Sequence, residues 1–143
     1  MAVEPVPSPG RAAARLARLV EVALGEVELS LPQYRLLIYL DEGSVSAAKL
    51  ADYLTVSRPS VTAVVDGLVA RGLVERLRDA EDRRRVEHVI TGAGRAALAA
   101  ADASVDAKLE AVAGLLPHRQ DVAVAFAGLD CWRRSLDARR VLA

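Results

Sequence analysis

Apolar residues along this chain recur mostly at helical spacing, with one loosely alternating exception. From Arg11 to Val27 the stripe Leu16, Leu19, Val20, Ala23, Leu24 and Val27 predicts an amphipathic helix, with Arg15, Arg18 and Glu21 mostly off it. Ser30-Leu31-Pro32-Gln33 matches a capping box, in which Gln33 reaches back to the amide of Ser30. The helix it opens, Tyr34 to about Leu40, is apolar nearly all round and is expected to be buried on most sides, and Asp41-Glu42-Gly43 closes it. Ser46 can cap a further helix from Ala47 to Leu54 with Leu50, Ala51 and Leu54 inward. After the tight turn Thr55-Val56 comes a helix with both ends marked. Ser57 is its N-cap, Pro59 stands where a missing N–H costs little, and Gly72 can take the left-handed conformation while Leu73 folds back on Leu68. Val61, Val64, Val65 and Leu68 form its stripe, leaving Arg58, Ser60, Thr62 and Asp66 off it.

The alternating exception follows. Leu73 to Arg78 reads as a strand, Asp79 to Arg85 as a polar tip and Val86 to Ile90 as the returning strand, together a hairpin or wing. Thr91 then caps a helix running to about Leu116, a length of roughly 38 Å at the standard rise. Pro117 breaks it, and a last helix from about His118 to Arg139 carries Val122, Ala125, Phe126, Leu129, Trp132 and Leu136 at helical spacing. Two short helices joined by a brief turn, with small Ala51 where they pack, are the helix-turn-helix pattern. The predicted fold is therefore mainly α with a small β wing. It is a single domain over 1–143, with a winged helix-turn-helix at 30–90, helices at 11–29 and 91–143 whose surplus apolar surface is most simply buried against a second copy of the chain, and a flexible Pro-rich arm at 1–10.

Composition narrows the possibilities. At 143 residues the chain can bury a core without metals or disulfides. Its hydrophobic half is Ala, Leu and Val interrupted by charge, so no run reaches membrane-span length, and the first ten residues lack the basic and apolar regions of a signal peptide. One cysteine, Cys131, excludes an internal disulfide and fits a reducing cytoplasm. Beside Trp132 on a helix expected to be buried, it reads as a core thiol. His88 and His118 are too isolated for a metal site, and Asp102, Asp106 and Glu110 repeat as a solvated face does. No nucleophile and base stand paired and no glycine loop could cradle phosphate, so neither an enzyme nor a cofactor is expected.

The polar face of the 57–72 helix suits a DNA major groove, where small side chains permit close approach and Arg can grip a guanine edge. An ordinary amphipathic helix with a solvated face would look the same, and only the flanking turn and hairpin separate the two readings. The hairpin tip holds three consecutive arginines among acids, and Asp82 to Arg84 is the pair expected to hold a guanidinium in one pose. Formal net charge is zero, so any phosphate contact has to come from such a local patch.

Leu31-Pro32-Gln33-Tyr34-Arg35-Leu36-Leu37, Leu50-Ala51-Asp52-Tyr53-Leu54 with Val56-Ser57-Arg58, Leu68 through Arg76, and Asp82-Arg83-Arg84-Arg85 before Ile90-Thr91 and Gly94 occur in an order that resembles the MarR (multiple antibiotic resistance regulator) family over essentially the whole chain. The resemblance implies a homodimeric, cytoplasmic repressor that binds a palindromic site in double-stranded DNA and is released by a small aromatic or acidic effector. On it, Ser57, Arg58, Pro59, Ser60 and Thr62 would meet bases and phosphates, and Arg83 or Arg84, oriented by Asp82, would enter the adjacent minor groove. Arg15, Tyr34 and Tyr39 are the candidate effector contacts, although each tyrosine can equally be a packed residue with a satisfied hydroxyl and Arg15 a surface charge. Ala80 stands where the family often has proline, His88 where it is usually aliphatic, and the first helix has no cysteine for a peroxide switch. The rival reading is a winged-helix protein-interaction module that does not bind DNA specifically.

Overall fold

A computed structural model describes residues 8–43, 45–46 and 58–142. Of the predicted arm at 1–10, residues 1–7 lie outside the described residues, while Pro9 and Gly10 already belong to the first helix; the Ala47–Leu54 helix with its inward residues, the Thr55-Val56 turn, the Ser57 cap and the side chains of Ser46, Arg58 and Pro59 also lie outside the described residues. The elements in chain order are α1 (Pro9–Gly25), α2 (Leu31–Asp41), β1 (Val45–Ser46), α3 (Arg58–Ala70), β2 (Val74–Arg78), β3 (Val86–Ile90), α4 (Gly92–Ala113) and α5 (Arg119–Leu142).

Helix ends follow the local chemistry read from the sequence. The capping box is formed: Gln33 N donates to Ser30 Oγ at 3.2 Å and Ser30 N donates to Gln33 Oε1 at 3.0 Å, which starts α2 at Leu31, three residues before Tyr34. Thr91 Oγ1 accepts from Gly94 N at 3.0 Å and so caps α4. That helix stops at Ala113 rather than Leu116, because the amides of Leu115 and Leu116 turn back to the carbonyls of Val112 and Ala113, one residue short of the helical partner.

Val45–Ser46 is a strand where the sequence suggested only a lead-in to a helix. It pairs antiparallel with β3, giving a three-stranded sheet ordered β1-β3-β2 instead of a bare hairpin. A two-residue strand has no periodicity to read, so only its partner defines it. The register Val74 to Ile90, Arg76 to His88 and Arg78 to Val86 puts Val74, His88 and Ile90 on one face, and all three are buried. His88, expected as a polar strand or cap residue, is thus a core residue of the sheet.

Two compact units meet inside α4, one ending at Val105 and the other beginning at Asp106. In the first, Leu24, Leu36, Leu37, Leu40, Val61, Val65, Leu68 and Val74 form the core. Burying each such side chain is worth about 1.5–3 kcal/mol. Ser104 Oγ donates to the Ala23 carbonyl at 2.9 Å and ties α4 to α1 within this unit. Asp102, expected to be only solvated, accepts a hydrogen bond from the Tyr34 hydroxyl.

The second unit differs from expectation. Along α5 Val122 and Phe126 are half-buried, but Leu129, Trp132 and Leu136 are exposed, and so is Cys131. The thiol is not a core residue of the single chain, because the apolar stripe it borders is itself uncovered. On the charged side Arg133 donates to Asp130 at 3.0 and 2.8 Å and to Asp137 at 3.0 Å. The Arg133 hydrogen bond holds the Asp130 carboxyl below its ordinary 3.8.

Candidate nucleic-acid interface

Helix α3 is anchored along one side and open along the other. Val61, Val65 and Leu68 are at most 1% exposed, whereas Ser60, Thr62 and Asp66 are exposed. Its C-terminal end is a Schellman motif. Gly72 has φ 71°, Gly72 N donates to the Val69 carbonyl at 2.9 Å, Leu73 N donates to the Leu68 carbonyl at 2.9 Å, and Leu73 is buried as predicted.

The same junction fixes the helix to the hairpin and to α4. Thr91 Oγ1 donates to the Gly72 carbonyl at 2.7 Å, and Thr91 N donates to the Leu73 carbonyl at 3.1 Å. A Cβ on Gly94 would lie 2.1 Å from that Leu73 oxygen, so this buried position accepts only glycine without backbone movement.

Two further ties hold α3, and sequence reasoning missed both. Arg71 Nη1 donates to the Glu28 carbonyl, and Arg76 on β2 pairs with Asp66 on α3. Nothing in local spacing signals contacts made across 43 and 10 residues. Glu28 itself has φ 58° at a second Schellman ending, where Leu29 N donates to the Leu24 carbonyl at 3.0 Å and Glu28 N to the Gly25 carbonyl at 3.3 Å. A non-glycine residue in that conformation hid the motif from the sequence.

At the hairpin tip the acids shape the backbone. Asp82 Oδ1 accepts from Arg84 N at 3.0 Å, Asp79 Oδ1 accepts from Glu81 N at 3.0 Å, and Arg85 N donates to the Asp82 carbonyl at 3.0 Å. Asp82 was expected to grip the Arg84 guanidinium, but the contact it makes is with the backbone amide, an Asx turn that fixes the loop rather than the side chain. Arg83, Arg84 and Arg85 are exposed. The three acids at the tip offset three arginines by count, and Glu81 and Asp82 are exposed beside them, although Asp79 and Asp82 each have one oxygen engaged by a backbone amide.

Of the effector candidates, Arg15 is exposed on α1, Tyr39 is half-buried on α2, and half-buried Tyr34 has its hydroxyl directed at Asp102. Among the described residues no group of three or more His, Cys, Asp and Glu side chains could hold a metal ion, and no helix is long and apolar enough to cross a membrane.

Residues 28–85 match the model of the MarR family. The transcriptional regulator AdcR of Streptococcus pneumoniae serotype 2 (strain D39 / NCTC 7466) is 32% identical over 77 residues, 54% of this chain and 53% of that protein, so the chain spans about half the length of this relative. Among solved structures, the apo form of wild-type MarR from E. coli superposes with a TM-score of 0.76 at 22% identity, covering 89% of this chain and 97% of that one. The transcriptional repressor CouR bound to a 23-mer DNA duplex superposes with a TM-score of 0.70 at 29% identity, covering 87% and 88%.

Proposed function

We propose that the chain is a member of the MarR family, whose model residues 28–85 match, and that it is a homodimeric, DNA-binding transcriptional regulator of the cytoplasm. In this reading it represses a palindromic promoter site and is relieved by a small aromatic or acidic effector. One observation carries the proposal: a helix pinned by its apolar side, with Ser60 and Thr62 outward, stands immediately before a hairpin whose tip exposes Arg83, Arg84 and Arg85. The likeness to a repressor held on a DNA duplex supports it.

Ser57, Arg58, Pro59, Ser60 and Thr62 would contact base edges and phosphates in the major groove, and Arg83 or Arg84 the adjacent minor groove, on a loop whose shape Asp82 maintains. Two copies would read half-sites about 10 base pairs apart. The exposed stripe Leu129, Trp132 and Leu136 supports pairing of two chains through residues 91–143, joined by 11–29, around a winged helix-turn-helix at 30–90. An effector held by Arg15, Tyr34 and Tyr39 would favour a dimer whose recognition helices are wrongly spaced, a shift of populations rather than competition for the groove. Tyr34 could serve only by giving up or sharing its bond to Asp102.

The zero net charge favours one rival, a winged-helix module that binds protein instead. Titration of the purified protein against labelled DNA from upstream of its own gene, repeated across salt concentrations, separates the two. Phosphate neutralisation gives a steep negative slope of log affinity on log salt. Binding that is absent or insensitive to salt would overturn the regulator reading.

A further inference from the structure

The C-terminal end of α3 meets the end of α1 through one side chain. Arg71 follows directly on α3, and its guanidinium donates from Nη1 to the carbonyl of Glu28, in the corner between α1 and α2. A cation placed where two helices end lies near the negative ends of both dipoles. The acceptor is itself held. Glu28 occupies the left-handed position of a Schellman ending and Leu29 beside it is buried, so the direction of this carbonyl is set by the corner. In the last turn of α1 the same corner takes a bond from a further helix, as Ser104 Oγ of α4 donates to the Ala23 carbonyl at 2.9 Å. Residues 23–28 thus join α4 on one side to α3 on the other, all within the unit ending at Val105.

Apolar packing alone does not fix how α3 is presented. Burial of Val61, Val65 and Leu68 is non-directional, and a helix held only by such a stripe can roll or slide on its seat. The Asp66–Arg76 pair binds α3 to the hairpin, and Arg71 binds it to the helical frame. We infer that Arg71 is a positioning residue for DNA recognition: it fixes the setting of α3 against the corner after α1, and through Ser104 that setting follows α4. It does so without touching the duplex, since Ser60 at the other end of the helix lies roughly 15 Å from Ala70 along the axis. The inference rests on the DNA-binding reading and adds to it the joint through which the flanking helices reach the recognition helix.

The test compares wild type, Arg71→Ala, Arg71→Lys, Ser104→Ala and the Arg71→Ala/Ser104→Ala double variant on two labelled duplexes, one from upstream of the gene and one of random sequence. Affinities are read across salt concentrations, beside the melting temperature of each protein. Arg71→Ala is expected to weaken binding to the upstream duplex about three- to tenfold, the range spanned by one intramolecular hydrogen bond. The random duplex, bound through its phosphates, should keep its affinity and its salt slope. Arg71→Lys, which retains the charge and the donors, should recover most of the loss. Ser104→Ala should show a loss in the same range, and the double variant no more than the larger single loss, because both act through one corner. Unchanged upstream affinity in Arg71→Ala overturns the inference. So does an equal loss on both duplexes, which with a shallower slope makes Arg71 a phosphate contact and with a lower melting temperature a plain stabiliser. A silent Ser104→Ala, or losses that multiply in the double variant, overturns it too, since the ties would then be independent. If Arg71→Ala does not fold, Arg71→Gln carries the same comparison. If wild type itself shows no salt-dependent binding to either duplex, the regulator reading fails first and takes this inference with it.

Discussion

In the unit ending at Val105, Leu36, Leu37 and Leu40 are at most 1% exposed, while in the unit beginning at Asp106 Leu115, Trp132 and Leu136 are 82%, 65% and 54% exposed. The residue types are alike and the helical stripes equally regular. What differs is how many elements converge. Helices α2 and α3 and the sheet close around one set of leucines and valines, whereas among the described residues Leu129, Trp132 and Leu136 on the apolar side of α5 stay exposed. The first is a core that one chain completes. The second, on the proposed reading, is half of a core, completed by another copy.

That contrast can be broken by truncation. Leu37→Ala is expected to lower unfolding free energy by about 2–5 kcal/mol in a denaturant titration, the cost of lost transfer plus a cavity. Trp132→Ala should instead raise the dimer dissociation constant about ten- to a hundredfold by sedimentation equilibrium, as an interface aromatic worth roughly 1.5–3 kcal/mol would. If Trp132→Ala left self-association unchanged, the α5 stripe would not be the interface.

Arg84 sharpens the contrast from the other side, since it is exposed although it belongs to the unit with the closed core. Arg84→Ala is expected to weaken operator binding by about 1–3 kcal/mol with no change in melting temperature. Unchanged affinity at physiological salt would remove the hairpin from the mechanism. A smaller effect of opposite sign is expected at the end of α1: Glu28→Gly should raise stability by about 0.5–1 kcal/mol by relieving the left-handed backbone, measured as a higher chemical midpoint. The smallest lies on α5. Asp130 is held below 3.8 by Arg133, so its contribution is present above the ordinary carboxylate value and is lost as pH falls through the lowered one. Asp130→Asn should differ slightly in helix content from wild type at neutral pH and converge with it in acid; a constant offset by circular dichroism would assign the difference to helix propensity.

Much was legible in the order of residues because it depends on neighbours a few positions apart. The Ser30 and Gln33 capping box, the Gly72 ending with Leu73 against Leu68, the Thr91 cap and the strand-tip-strand order of the hairpin are such features, and the described residues carry each of them, although burial along β2 does not alternate. A hydrogen bond between positions three apart is decided by composition and backbone geometry alone, and so is a stripe at the period of a helix.

Tertiary structure alone decided what depended on distant partners. Val45–Ser46 became a strand only beside β3, Glu28 took a glycine-like conformation with its carbonyl held by Arg71, and Asp66 met Arg76 across the α3–hairpin junction. Asp82 was named from sequence, but the backbone placed the Arg84 amide, not its guanidinium, within reach. Periodicity likewise marked the apolar stripe of α5 without saying whether this chain would bury it. Apolar spacing states that a side should leave water; which surface it leaves water for is set by shape and stoichiometry, and neither is written at short range.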